Sequence, residues 1–198
     1  PLGLLNAQCW ARDPEQQGTS KQRERLPIDQ KESRKWMVGY EATSQAQRRL
    51  PSTRLVCVAD REGDIFELFV RARRSAEQPE LLVRATLPRK IEIDANTGEV
   101  ASLWEHIRRL PSMGTLPLSV PRRGSRPRRE TKLDLRFAEV SVRPPRDSKH
   151  KTVVKLWAIV ATEASKPIQG EAVEWLLLTT LPVTSLEQAA EKLSWYAL

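Results

Sequence analysis

The stretch that decides the fold is residues 55–69, with the sequence LVCVADREGDIFELF. It opens with a continuous apolar run, as expected of a strand that is buried on both faces. The run ends at Asp60, and after Gly63 apolar residues resume at helical spacing. The pattern therefore predicts a strand, a tight turn and a helix, with Asp60 at the carboxyl end of the strand.

Asp60 has two interpretations. Functional sites in open α/β sheets collect outside the carboxyl ends of strands, which favours a functional carboxylate. Acidic residues are also common helix caps, which favours a structural role in which Glu62 and Asp64 belong to a solvated first turn. If the site is functional, Asp60 is the preferred ligand, because Glu62 and Asp64 lie on a helical segment that can turn them away.

The charge of the chain is concentrated in one zone. The 198 residues carry 33 basic and 25 acidic side chains, a net charge of +8. Residues 122–151 hold 11 of the basic and four of the acidic residues, a net charge of +7, so the rest of the chain is nearly neutral. Such a zone indicates either a polyanionic partner or solvated loops, and composition does not choose between them.

Cysteine usage and hydropathy predict a cytoplasmic protein. The two cysteines, Cys9 and Cys57, are too few for a disulfide framework or a cysteine-rich metal cluster. Residues 1–5 lack the basic flank and long apolar core of a signal peptide. No window approaches the roughly 20 apolar residues that a membrane-spanning helix needs.

The remaining pattern predicts an α/β fold. Residues 1–10 are predicted as a strand with Leu2, Leu4 and Leu5 in the core, and a helix is predicted from Gln30 onward. A strand at 80–87 follows the central helix, and an antiparallel sheet is predicted from strands at 115–120, 132–143 and 153–161. Within 132–143 the apolar residues change phase, which indicates a β-bulge. A buried strand at 175–179 precedes a last helix, with Ser185 and Gln188 as a capping box.

Five motifs, taken together, resemble one protein family. Residues 56–65 (VCVADREGDI) resemble the segment around the second catalytic aspartate of the bacterial DDE transposases of the insertion sequence 4 family. Four further segments match the same family in the same order, and the resemblance spans nearly the whole chain: residues 1–5 (PLGLL), 31–36 (KESRKW), 82–85 (LVRA) and 175–180 (WLLLTT). Each motif is weak alone, and their shared order and spacing carry the match.

The resemblance implies a fold and a reaction. The family cuts and joins DNA with an Asp–Asp–Glu triad on an RNase H-like fold, using Mg²⁺, for which Mn²⁺ substitutes. Asp60 matches the second aspartate. The first is expected upstream of Pro1, and the glutamate is expected beyond Leu198, in a helix whose Tyr–Arg–Glu–Lys signature begins at Tyr196. The chain is thus expected to be an internal fragment, inactive alone, of a parent that works as a homodimer on paired transposon ends.

The resemblance also implies domains and DNA contacts. Residues 1–90 correspond to part of the catalytic core, 91–172 to a mostly antiparallel β insertion, and 173–198 to the return to the core. Trp175 matches a tryptophan that stacks on a flipped base in a transposase of this family, although a core role on a buried strand is equally open. The expected DNA-binding residues are Arg84, Arg89, Lys90, Arg122, Arg123, Arg126, Trp175 and Tyr196. Two other hypotheses stay open: a non-catalytic basic β module that binds nucleic acid, and a different RNase H-like nuclease.

Overall fold

The computed structural model describes residues 3–9, 34–122, 128–167 and 171–197. Within these ranges the chain forms four α-helices, a short 3₁₀ helix at Arg61–Gly63 and one sheet of eight strands. The helices are α1 (Arg34–Arg49), α2 (Phe66–Ala72), α3 (Leu103–Arg109) and α4 (Leu186–Ala197). The strands are β1 (Val56–Ala59), β2 (Glu80–Arg84), β3 (Lys90–Asp94), β4 (Glu99–Ser102), β5 (Gly114–Val120), β6 (Arg129–Val142), β7 (Val154–Glu163) and β8 (Glu174–Thr179).

The sheet is mixed but mostly antiparallel. Its order is β1-β2-β8-β7-β6-β3-β4, and β5 pairs with β6 beside this path. Only β1 and β2 run parallel, and α2 connects them. The strands of residues 91–172 continue the same sheet as β1, β2 and β8. The α/β class is therefore confirmed, while the RNase H-like topology stays a prediction.

Two hydrophobic cores cover the two faces of the sheet. On one face, α1, α2 and α3 pack over Ala59, Leu81 and Val83, with Phe69 fully buried between them. On the other face, α4 packs over Leu82, Leu177 and further residues of β6 and β7. Neighbouring residues of a strand thus enter different cores, which is why β2 and β8 read as unbroken apolar runs.

The apolar residues of β6 change from one set of alternate positions to the other because the strand contributes to both cores. Its pairing with β7 is continuous from Leu133↔Glu163 to Val142↔Val154, so the predicted β-bulge in this strand is wrong. Leu133, Leu135 and Phe137 enter the core beneath α4, whereas Val140 and Val142 enter the opposite core. A strand of 14 residues reaches both cores, and the buried parity changes along it without any irregularity of the backbone.

Other boundaries also differ from the prediction. Residues 3–9 have no regular structure, and Leu4 and Leu5 are 81% and 65% exposed, so the strand and core roles predicted there are wrong; Leu2 lies outside the described residues. The β3–β4 hairpin was visible in the sequence only as a turn signal, where Gly98 adopts φ +68°. Half of the predicted capping box forms at the start of α4: the Ser185 hydroxyl accepts the N–H of Gln188 at 3.3 Å, whereas Oε1 of Gln188 accepts the N–H of Thr184 at 2.8 Å and not that of Ser185.

Candidate functional site

Asp60 lies directly after β1 with an exposed side chain and extended backbone dihedrals. Its Oδ1 accepts the backbone N–H of Glu62 at 2.9 Å and so caps the 3₁₀ helix. Within the described part of the chain, Oδ2 makes no hydrogen bond with protein. The structural role is therefore real, and it leaves one carboxylate oxygen open to a ligand.

The two acidic neighbours are committed elsewhere. Glu62 forms an exposed ion pair with Lys35 at the start of α1. Asp64 is buried, at 4% exposure, in an ion pair with Arg89. Of the three carboxylates in the turn, Asp60 is the one without an ion pair among the described residues, and its role as a metal ligand stays a prediction.

The Asp64–Arg89 pair anchors the segment that follows β2. Asp64 Oδ1 accepts Arg89 Nε at 2.7 Å, and Oδ2 accepts the backbone N–H groups of Thr86 and Leu87 at 2.8 and 2.9 Å. The guanidinium also lies 5.3 Å from the ring centroid of Phe69. Because Thr86 and Leu87 donate to Asp64 rather than to a neighbouring strand, β2 ends at Arg84.

Arg89 is consequently placed differently from the expectation. Its side chain is only 3% exposed, and Asp64 occupies its Nε and Nη2 donors. In this conformation the guanidinium does not reach a DNA phosphate. Lys90, which opens β3, is exposed and stays available as a cation on the surface.

Trp36 and Lys35 of α1 also contact the turn that follows Asp60. A Cβ atom built on Gly63 would lie 2.5 Å from Cβ of Ala59 and 3.6 Å from Cδ2 of Trp36, so the turn accepts only glycine without a shift. Together with the Lys35–Glu62 pair, this contact fixes the 3₁₀ helix against the first helix. Apart from the glycine itself, no feature of the sequence predicts this contact.

Arg84 and Trp175 lie at the same edge of the sheet as Asp60, the edge formed by the carboxyl ends of β1 and β2 and the start of β8. In the parallel pair β1–β2, Ala59 is opposite Val83, so Asp60 and Arg84 follow at neighbouring strand ends. Arg84 is opposite Leu177 in β8, and its Nη2 approaches the carbonyl oxygen of Glu174 at 3.4 Å. Asp60 is therefore level with Leu177 of β8, two strand spacings or about 10 Å away, and Trp175 lies two residues further along β8.

Trp175 and Tyr196 form an aromatic pair at this edge. Their ring centroids are 5.8 Å apart at an angle of 70°, an edge-to-face contact. Both belong to the core on the α4 side, and both are partly exposed. Side chains alternate along strands, so Asp60 and Arg84, one position after Ala59 and Val83, also point towards the α4 side. Four predicted site residues are therefore brought to one edge and one face.

The two basic loops lie at opposite ends of the β6–β7 pair. The β5–β6 hairpin passes the end of β7 by four residues, from Leu133 to Arg129, and leaves the sheet at the end where β8 begins. Arg122 is exposed on this hairpin, whereas Arg123 and Arg126 lie outside the described residues. The second basic loop, residues 143–153, joins the other ends of β6 and β7. Only the first loop thus shares an end of the sheet with Trp175.

Part of the basic zone is neutralised within the protein. Among the described residues of this zone, arginines form ion pairs with nearby acids, namely Arg128–Glu130, Arg129–Glu163 and Arg136–Asp134. Net charge alone therefore overstates the number of cations that a polyanion meets.

Two residues of α3 that were not predicted lie at this end of β8, on the opposite face of the sheet from Trp175. The Arg108 guanidinium lies 4.8 Å from the ring centroid of Trp104 and forms an ion pair with Glu174. Tryptophan and arginine four positions apart on a helix face each other, and this spacing is the signal that sequence reasoning passed over.

A divalent cation finds one ligand here. In the described ranges, no group of three or more His, Cys, Asp and Glu side chains is placed to hold a metal ion. Mg²⁺ prefers carboxylate oxygens, keeps several waters and often takes only one or two protein ligands together with substrate phosphates. Asp60 fits as one such ligand, and a complete site needs others.

Comparison with known proteins leaves the family open. No protein-family model matches the chain. None of the helices in the described residues has the length and hydropathy to cross a membrane.

Proposed function

We propose that this chain is part of the catalytic core of a cut-and-paste DNA transposase of the insertion sequence 4 type. The supporting observation is that Asp60, Arg84, Trp175 and Tyr196, each placed in a family motif by sequence alone, lie at one edge of the sheet. The strand order β1-β2-β8 brings these residues together, and each of them is a residue to which the family resemblance gives a role.

In this proposal Asp60 holds a divalent cation through the oxygen that capping leaves open. The bound ion, Mg²⁺ or Mn²⁺, supplies charge neutralisation at the phosphate and activation of water or a 3′-hydroxyl. The other two carboxylates of the triad come from outside these 198 residues, and the acting protein is a homodimer on paired transposon ends in the bacterial cytoplasm.

The remaining residues bind and position DNA. Arg84 and the β5–β6 hairpin with Arg122 supply cations for backbone phosphates, which give affinity and register rather than sequence recognition. Trp175 offers part of its ring surface at the edge, held by the Tyr196 ring. An aromatic face stacks on any unpaired base, so the pair suits a base that has left the duplex.

The decisive experiment separates the cap from the metal ligand. Asparagine caps helices as well as aspartate does, whereas alanine does not. In the complete gene product that contains this chain, Asp60→Asn is expected to keep the free energy of unfolding and to lower cleavage of transposon-end DNA by about 10³-fold or more. Asp60→Ala is expected to lose the same activity and about 1 kcal/mol of stability.

A matched control is Glu62→Gln, two positions away and also exposed to solvent. It is expected to leave cleavage within a fewfold of the parent. Full cleavage by the Asp60→Asn protein would show that Asp60 is only a cap. If the unmutated gene product binds DNA in a salt-sensitive way without cleaving it, the basic β module is favoured instead, and cleavage without strand transfer favours another nuclease.

A further inference from the structure

We infer that Arg108 is a further phosphate-binding residue of this edge, and that the Glu174 carboxylate occupies the phosphate position until nucleic acid binds. The inference rests on the proposed function and names an additional DNA contact, together with an intramolecular competitor for it. Its components are Arg108 and Trp104 on α3 and Glu174 at the start of β8.

The guanidinium of Arg108 is held in place before any ligand arrives. Its central carbon lies over the Trp104 ring at 4.8 Å from the centroid, a contact that restricts the movement of the side chain. The side chain is 48% exposed, so a large polyanion can reach it. A preorganised arginine loses less conformational freedom on binding than an extended, mobile one.

Glu174 presents an anion to this fork. Its carboxylate pairs with Arg108, and its carbonyl oxygen lies 3.4 Å from Nη2 of Arg84. One residue of β8 therefore stands between two arginines from different parts of the chain. Carboxylate and phosphate oxygens are both recognised by the planar guanidinium fork, so one can take the place of the other.

A phosphate can replace the Glu174 carboxylate at Arg108 at little cost, because the ion pair is exposed to solvent. Glu174 is 43% exposed and Arg108 48%, and pairs in such surroundings contribute little to stability. In the proposed complex, the same nucleic-acid backbone also meets the β5–β6 hairpin, which leaves the sheet at this end. Trp175, the next residue of β8, faces the α4 side of the sheet, whereas Trp104 and Arg108 lie on the α3 side, so a phosphate that displaces Glu174 binds on the opposite face from the Trp175 ring.

A purely structural interpretation is that the pair only ties α3 to β8. In that case neutralising either partner alters the stability of the chain and leaves DNA affinity changed only by the general effect of one charge. The two interpretations differ in whether Glu174 acts through Arg108, and a double-mutant cycle measures that dependence.

The test is fluorescence anisotropy of a labelled DNA duplex of mixed sequence, titrated with the 198-residue chain over a range of salt concentrations. Arg108→Gln is expected to weaken binding about three- to tenfold at low salt and to lower the slope of log K against log salt by about one. The control is Arg109→Gln, the same charge change on the next residue of α3, which is exposed and is expected to change affinity by less than about twofold. Thermal unfolding checks that each variant is folded.

The cycle then follows Glu174. Glu174→Gln is expected to tighten binding about two- to fivefold in the parent chain and to have no effect when Arg108 is already glutamine. Equal losses for Arg108→Gln and Arg109→Gln, or equal tightening by Glu174→Gln in both backgrounds, would overturn the inference alone. If the folded, unmutated 198-residue chain binds no DNA at any salt concentration, the DNA-binding part of the proposed function is refuted, and the inference with it.

Discussion

The buried ion pair between Asp64 and Arg89 makes the sharpest prediction about stability. Both side chains are almost fully inaccessible, at 0% and 3% exposure. The two Asp64 oxygens serve two separate sets of donors: Oδ1 accepts from Arg89, and Oδ2 accepts the backbone N–H groups of Thr86 and Leu87. An asparagine at this position has a single oxygen, so one set of donors loses its acceptor.

The expected magnitude follows from what is left unpaired. Asp64→Asn removes the carboxylate that balances the buried Arg89 charge, and it also leaves either Arg89 Nε or the part-buried N–H groups of Thr86 and Leu87 without their acceptor. Breaking a buried ion pair from one side costs about 3–5 kcal/mol. Since a domain of this kind has a total stability of about 5–15 kcal/mol, the variant is expected to unfold at much lower urea concentration.

The measurement is urea unfolding followed by circular dichroism, with linear extrapolation to water. Arg89→Met is expected to be destabilising as well, and the double variant less so than the sum, by about 1–3 kcal/mol, because no buried charge remains uncompensated. Glu62→Gln, which breaks the exposed pair with Lys35, is the control and is expected to cost less than about 1 kcal/mol. An Asp64→Asn protein as stable as the Glu62→Gln protein would refute the argument.

Three further perturbations test other parts of the fold. Gly63→Ala places a Cβ 2.5 Å from Cβ of Ala59, and the forced backbone shift is expected to cost about 1–3 kcal/mol in urea unfolding; Gly39→Ala in α1, where nothing lies within 4 Å, should stabilise by about 0.5–1 kcal/mol instead. Tyr40→Phe removes the hydroxyl that donates to the Pro79 carbonyl at 2.7 Å and is expected to cost about 1–2 kcal/mol, and an unchanged urea midpoint would contradict that hydrogen bond. Burial raises the pKa of the Cys57 thiol, so the unfolded chain releases this proton first. The Cys57 thiol therefore makes its full contribution to the free energy of unfolding below about pH 8.5, and this contribution falls as the pH rises above that value. Cys57→Ala should flatten that fall, whereas Cys9→Ala, at an exposed position, should leave it unchanged.

The sequence was most informative where one stretch of chain determines its own structure. The strand, turn and helix at residues 55–69 formed as predicted, because an apolar run followed by helical spacing leaves few alternatives. The α4 capping residue was predictable for the same reason, since a cap depends on a spacing of three residues.

Features that depend on distant partners were out of reach. The apparent bulge in β6 arose because one straight strand serves two cores, and only the packing of α4 against one face and α3 against the other reveals this. Arg89 looked like a surface cation next to Lys90, yet its environment is set by Asp64, Phe69 and the backbone around them. The Arg108–Glu174 contact likewise joins residues whose proximity depends on the complete sheet.

The architecture of the edge separates function from stability in a way that experiments can use. Asp64 and Arg89 fix the chain that follows Arg84, so their loss disturbs the fold and the position of the edge together. Asp60 stands on the same turn but only caps a 3₁₀ helix, a role that asparagine retains. If Asp60 is catalytic, Asp60→Asn abolishes DNA cleavage and leaves the free energy of unfolding unchanged. If the turn matters only for the fold, cleavage activity instead falls in proportion to stability across the Asp60, Gly63 and Asp64 variants. In a plot of cleavage activity against stability for these variants, an Asp60→Asn protein that lies far below the trend identifies Asp60 as a metal ligand, and one that lies on the trend identifies it as a helix cap.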